Sequence, residues 1–269
     1  MRTQPQDVIA KLEADNSRLA KEKILLDAMN EGLDEFFEGL KMCLDKLYTF
    51  GVKQVPTKDE VVAGQGCPWN VFKDLAEKLY NRELTGHNAR DAINLVMSSA
   101  TAEQWNGFYR RILIKDLRCG VSEKTVNSVA KKNKFGKYMV PVFTCQLAHD
   151  SANHEKKLVG KKMLEVKLDG VRTLAIVHPD GKVDMLSRNG KEFTNFGHIQ
   201  DEISAVVKQD PPPYPLVLDG EVMSENFQDL MKQVHRKGSA DAKDAVLHLF
   251  DFIPLEEFKK GKWDKTQTL

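Results

Sequence analysis

Residues 165–172 read Glu165-Val166-Lys167-Leu168-Asp169-Gly170-Val171-Arg172. Apolar and polar residues alternate from 162 to 168, the pattern of a half-buried strand. The side-chain period of two puts Glu165, Lys167 and Asp169 on one face. Gly170 permits a turn, and residues 171–177 read as a second strand. A lysine between two carboxylates, followed after the turn by an arginine, concentrates charge at a strand end. Taken alone, such a pattern is more often a solvated face with lysine–carboxylate pairs, because short patterns recur by chance.

Downstream, strands alternate with helices. Residues 171–178 and 182–187 are joined by Pro179-Asp180-Gly181, a hairpin turn signal, and Arg188-Asn189-Gly190 closes the second strand. Residues 196–209 read as a helix capped by Thr194 or Asn195, 216–223 as a strand, 225–236 as a helix and 245–253 as a strand. Upstream, residues 139–147 read as extended, and everything before about 130 has helical spacing. Helices are expected over 7–29, 33–48, 70–84, 89–97 (capped by Asn88) and 102–117, the last opened by a Thr101–Gln104 capping box. Gly120 would end that helix and Ser122 would cap the next. A boundary near residue 135 separates a helical domain, 1–134, from a strand-bearing one, 135–269.

The chain has 269 residues, 29% charged and 41% hydrophobic, which fits a soluble globular protein of one or two domains. It holds no run of eighteen apolar residues and no secretory signal pattern, so no membrane partner is expected. Cys43, Cys67, Cys119 and Cys145 are far apart and form no C-x-x-C pair. That argues against a zinc ribbon and for reduced, mostly buried thiols in a cytoplasmic protein. The net charge is only +1, but residues 110–137 carry nine basic residues against two acidic ones. One local basic block in a near-neutral chain points to a polyanion. Its Leu117–Ser122 corner leads into a helix whose free N–H groups, ringed by Arg118 and Lys124, form a natural phosphate site. An ordinary helical hairpin with solvated cations fits that corner equally well.

Four strand-end motifs now stand in order: K-L-D-G-V-R at 167–172, S-R-N-G at 187–190, L-D-G-E at 218–221 and F-D-F at 250–252. Each alone is weak. The ordered set resembles the covalent nucleotidyltransferase superfamily, and more closely the ATP-dependent DNA ligases of T-even bacteriophages. Leu117-Arg118-Cys119-Gly120-Val121-Ser122 resembles the R-x-G-x-S corner of the ligases' helical DNA-binding domain, so the likeness covers nearly the whole chain. It implies an α+β protein: an all-helical DNA-binding domain, then part of a mixed α/β adenylation domain rich in antiparallel sheet.

The resemblance makes Lys167 the nucleophile that takes AMP from ATP. A free lysine has a pKa near ~10.4, so it must be deprotonated by desolvation or nearby cations. It further implies that Glu165 accepts from the adenine amino group, Asp169 lies near the ribose, and Arg172 and Arg188 contact ribose and phosphate. Glu221 would meet the sugar or a magnesium ion, and Phe250 would stack on adenine. Arg118, Gly120, Ser122 and Lys124 are the expected contacts to nicked duplex DNA. A monomer is expected, and nothing marks a replication-clamp site. An mRNA capping enzyme shares K-x-D-G but has no use for the helical corner. An NAD-dependent ligase would carry a four-cysteine zinc site. After residue 252 the family pattern continues with a second acidic strand motif, a K-x-K motif and an oligonucleotide-binding barrel, none of them in this chain. Such a chain is expected to adenylate itself weakly or not at all alone, and its sheet to have unpaired edges. It would need the remaining motifs from another chain, or serve as a DNA-binding fragment.

Overall fold

The computed structural model describes residues 3–60, 64–162, 164–225 and 244–261. Its contacts divide the chain into two compact units, Met1–Phe143 and Thr144–Leu269. The division falls later than 134/135 because residues up to Val140 still pack on the first unit. Val140 is buried, and the Asn127 side chain accepts from its N–H (2.7 Å) and donates to its C=O (2.9 Å).

The described part of the first unit is helical: α1 (Pro5–Ala14), α2 (Arg18–Asn30), α3 (Asp34–Leu44), α4 (Trp69–Tyr80), α5 (Gly86–Ser99), α6 (Ala102–Gln104), α7 (Arg110–Leu113) and α8 (Glu123–Lys132). Phe36, Phe37, Phe72, Trp105 and Phe108 are fully buried at its centre. The single helix expected over 7–29 is two. Ser17 donates its N–H to Asp15 (2.7 Å) and accepts from the N–H of Ala20 (3.4 Å), which ends one helix and caps the next. Asn88 does not cap α5, which starts earlier, with Thr85 at the N-cap position. The Thr101–Gln104 capping box is present. The helix it opens passes through a π turn, Trp105–Tyr109, and stops at Leu113 rather than 117.

The reason for that stop is Lys115. Its φ of 59° is left-handed, with its N–H on the Ile112 carbonyl and the Asp116 N–H on the Arg111 carbonyl, a Schellman closure. Arg82 (φ 63°) and Lys134 (φ 60°) close α4 and α8 in the same way. Gly120, also left-handed at φ 65°, therefore shapes the loop between α7 and α8 rather than a helix end. Ser122 does cap α8, accepting from the Thr125 N–H at 3.4 Å.

The second unit is built on a four-stranded antiparallel sheet, in the order β2-β1-β3-β4: β1 (Val171–Val177), β2 (Val183–Ser187), β3 (Leu216–Met223) and β4 (Val246–Pro254). Ala175, Val177, Met185 and Val222 of this sheet form a core with Phe193, Phe196 and Ile199. Ile199 belongs to α9 (Gly197–Gln209), whose Ile203 and Val207 pack against the same core. Neither Thr194 nor Asn195 caps that helix; Phe196 holds the N-cap position without a side-chain bond. A short helix, α10 (Leu255–Lys260), follows β4. The helix expected over 225–236 lies almost wholly outside the described residues. No described helix is long and apolar enough to cross a membrane.

The strand expected over 162–168 is irregular in its described residues. Alternation makes a strand only where a partner takes the backbone groups and a core takes the apolar side chains. Here Leu164 is 99% and Val166 86% exposed.

At the β1–β2 turn, the buried Asp184 meets Lys182 at 2.5 Å and His178 at 3.7 Å. Burial opposes its ionisation, but His178 and Lys182 outweigh burial and hold the carboxyl below its usual value. A depressed carboxyl stabilises the fold above its unfolded pKa, and that stability is lost as pH falls through the lower folded value. Asp184→Asn is therefore expected to cost about 3 kcal/mol at neutral pH, the low end for a buried pair because Lys182 is partly exposed. The difference from wild type should shrink below about pH 4, as read by urea midpoints across pH. A pH-independent difference would refute this.

Candidate active site

Strand alternation and register place Arg172, Leu174, Asp219 and Glu221 on the sheet face opposite the α9 core, with Arg172 paired to Glu221 and Leu174 to Asp219. Arg172 reaches diagonally past Glu221 to Asp219. Its Nε and Nη2 donate to the two carboxylate oxygens at 2.5 and 2.6 Å. This paired contact raises the guanidinium pKa further above its ordinary value.

Phe250 joins the same side by an irregularity. Asp219 pairs with Asp251, but Gly220 pairs with Leu249, so Phe250 is an extra, bulged residue. Its ring centroid lies 4.8 Å from the Arg172 guanidinium carbon. Plain alternation would have sent Phe250 to the other face, with Phe252.

Gly170 ties the lysine segment to this face. Its N–H donates to Glu221 Oε1 at 3.0 Å. A Cβ at this position would stand 2.3 Å from the Val222 carbonyl oxygen and 2.8 Å from Met223 Sδ. The glycine of K-x-D-G is thus required by close approach to β3. Lys167, three residues earlier, is exposed, as are Glu165 and Asp169. Three residues of extended chain span about 10 Å at most, so Lys167 is tethered near the Arg172–Asp219 pair without touching it.

Arg188 is exposed in the turn after β2. Cys145 Sγ lies 3.7 Å from its carbonyl oxygen, as a weak donor. Burial pushes the Cys145 thiol up, while Arg172 and Arg188 pull it down. Among the expected residues, the fold brings Arg172, Glu221 and Phe250 together. It leaves Lys167, Glu165, Asp169 and Arg188 in solvent at the rim. Sequence reading passed over Asp219, although it lies inside the quoted L-D-G-E.

In the first unit, Arg118 and Lys124 are exposed beside the Ser122 cap. Arg118 is left-handed (φ 54°), donates its N–H to Asp116 and pairs loosely with that carboxylate at 3.7 Å. The basic block is smaller outside than its composition suggests. Arg110 is committed to the Val55 carbonyl, and Arg111 to the Asn106 and Leu117 carbonyls and Glu13. Lys115 serves the carbonyls of Met42, Asp45 and Tyr48, whereas Lys137 stays exposed in a surface pair with Asp34.

Residues 144–262 match the family model of the ATP dependent DNA ligase domain. They are an ATP-dependent DNA ligase domain. The ligase domain begins where the second compact unit begins. The DNA ligases of Enterobacteria phages T4 and T6 are each 26% identical to the chain over 151 residues, 54% of this chain and 30% of theirs. The solved structure Pmar-Lig_PreS3 is 63% identical, with a TM-score of 0.57, and the match covers 99% of this chain and 61% of that one. A second, Pmar-Lig_Pre., is 62% identical with the same TM-score, covering 98% and 60%. The chain thus spans 30% of the length of the phage relatives and about three-fifths of the solved ones.

Proposed function

We propose that this chain forms the DNA-gripping and nucleotide-charging portion of an ATP-dependent DNA ligase, an enzyme that seals nicks between a 5′-phosphate and a 3′-hydroxyl. The observation that carries the reading is the tie between Gly170 and Glu221, which fastens the K-x-D-G segment beside Arg172, Asp219 and Phe250. The Lys167 amine would attack the α-phosphorus of ATP, losing its proton as the bond to the β-phosphate breaks and pyrophosphate leaves. AMP then passes to the 5′-phosphate, and attack by the 3′-hydroxyl releases it.

Phe250 offers a ring for the adenine, and Arg172 and Arg188 offer cations for ribose and phosphate. Glu165 and Asp169 would close on the base and sugar. Glu221 keeps Oε2 for a sugar hydroxyl or magnesium, because Gly170 occupies Oε1. One carboxylate suffices for an ion that arrives on nucleotide phosphates, so the residues fit. Magnesium, when bound, neutralises phosphate charge. In the first unit the capped start of α8, with Arg118, Gly120, Ser122 and Lys124, would hold duplex backbone without reading sequence.

Incubation of the chain with ATP and magnesium over hours, followed by intact mass and peptide mapping, tests this. An AMP adduct on Lys167 is expected; an adduct on another residue refutes the assignment. The exposure of Lys167 favours a second reading, in which the chain binds duplex but does not charge itself. Duplex binding with no adduct would select that reading.

A further inference from the structure

Asp219 sits on the sheet face opposite the α9 core, across from the buried Leu174, and neither the lysine chemistry nor the expected nucleotide contacts use it. It holds the Arg172 guanidinium edge-on through two bonds of 2.5 and 2.6 Å. The Phe250 ring holds the same group from its face, at 4.8 Å. The two charged side chains are 23% and 17% exposed, so solvent screens the contact only in part. Asp219 also stands directly opposite Asp251 on β4. Facing carboxylates repel, which gives Asp219 an electrostatic reason to keep the arginine. A guanidinium has five N–H groups in a rigid plane. Asp219 takes two, and the direction of the other three is then fixed.

We propose that Asp219 is a positioning residue of the nucleotide site: it orients Arg172 against Phe250 so that the three remaining N–H groups meet oxygen atoms of a bound adenine nucleotide. This rests on the nucleotide-site reading above. A lysine could not replace this arginine, because an ammonium lacks the plane that two bonds can orient.

The test measures equilibrium binding of α,β-methylene-ATP with magnesium to the full chain. This analogue cannot transfer AMP, so a chain that never charges Lys167 still reports here. Asp219→Asn is expected to weaken binding about tenfold or more by releasing the guanidinium. Asp219→Glu, which keeps the charge, should stay within about threefold of wild type. In an Arg172→Lys background, Asp219→Asn should add less than about twofold, because coupled residues do not act independently. A merely structural role would make the two losses multiply instead. Wild-type binding by Asp219→Asn, or multiplying losses, overturns the proposal. Should Asp219→Asn fail to fold by circular dichroism, Arg172→Lys decides it: binding at least about tenfold weaker is expected, and binding within about threefold of wild type overturns the proposal. A Lys167 adduct with binding unaffected by Asp219 would refute this proposal alone. No adduct with Asp219-dependent binding would refute only self-charging.

Discussion

Gly170→Ala is expected to slow AMP transfer to Lys167 by about 100-fold or more while leaving the chain folded. The new methyl would begin 2.3 Å from the Val222 carbonyl oxygen, 2.8 Å from Met223 Sδ and 3.1 Å from Glu221 Cγ. The first of these is backbone inside a sheet paired on both sides and cannot swing away. The lysine segment must therefore lift off β3, breaking the bond from the Gly170 N–H to Glu221. A displacement of about 1 Å at a reacting group costs roughly 100-fold. The strain itself is worth about 1–3 kcal/mol, which the segment can relieve by moving, because Leu164 and Val166 make no core contacts to resist it. Adduct mass against time, beside thermal unfolding, separates the two effects. Gly197→Ala is the control, since nothing lies within 4 Å of a Cβ there. An adduct rate within threefold of wild type for Gly170→Ala would show that the close approach to β3 does not position Lys167.

Lys115→Met is expected to destabilise the first unit by about 3 kcal/mol or more. The Lys115 ammonium donates to the carbonyls of Met42, Asp45 and Tyr48 at 2.6, 2.6 and 2.7 Å, closing the end of α3 and the turn beyond it. Charge-assisted bonds of this kind contribute roughly 1.5–3 kcal/mol each, and methionine would leave all three carbonyls without that donor. Against this stands the cost of burying a cation, which pushes Lys115 down to about 8. The hydrogen bonds are the larger effect, since the group stays charged at neutral pH. The pH dependence has a definite sign. The folded chain gives up this proton near pH 8, the unfolded chain near ~10.4. Between those values the unfolded state binds more protons, so the stability contributed by Lys115 rises with pH. Cys43, pushed up by burial to about 12, pulls the other way in both proteins. The gap between wild type and variant in urea unfolding should therefore widen from pH 8 to 10. A gap that is constant or closes would mean the ammonium is not held as described.

Much of this was legible in the sequence because the signals were local. Strand β3 runs over the residues expected, 216–223, and Pro179-Asp180-Gly181 turns the β1–β2 hairpin. Ser122 and Thr101 cap where their spacing said they would. What stayed hidden depended on distant partners. Helix ends were sought at glycines, but α4, α7 and α8 close on Arg82, Lys115 and Lys134. For Lys115 the compensation lies some 70 residues away in sequence, in the carbonyls after α3. The alternation over 162–168 resembled a strand, yet whether it becomes one is settled by what lies beside it. Asp219 went unremarked inside L-D-G-E because its partner Arg172 reaches it diagonally from a neighbouring strand 47 residues away in sequence. Phe250 was named by family resemblance; its facing direction comes from a one-residue bulge that no periodicity encodes.

The internal use of Arg110, Arg111 and Lys115 bears on how the first unit would respond to ionic strength. Affinity for a polyanion falls with salt in proportion to the counterions that the protein's cations displace. A cation buried against backbone carbonyls inside the fold displaces none. Six of the nine basic residues over 110–137 are exposed and outside that internal set: Arg118, Lys124, Lys131, Lys132, Lys134 and Lys137, two of them in surface pairs with Asp116 and Asp34. Duplex held by this block would release counterions for at most those six, so the electrolyte sensitivity of the complex is set by two-thirds of the block's basic residues.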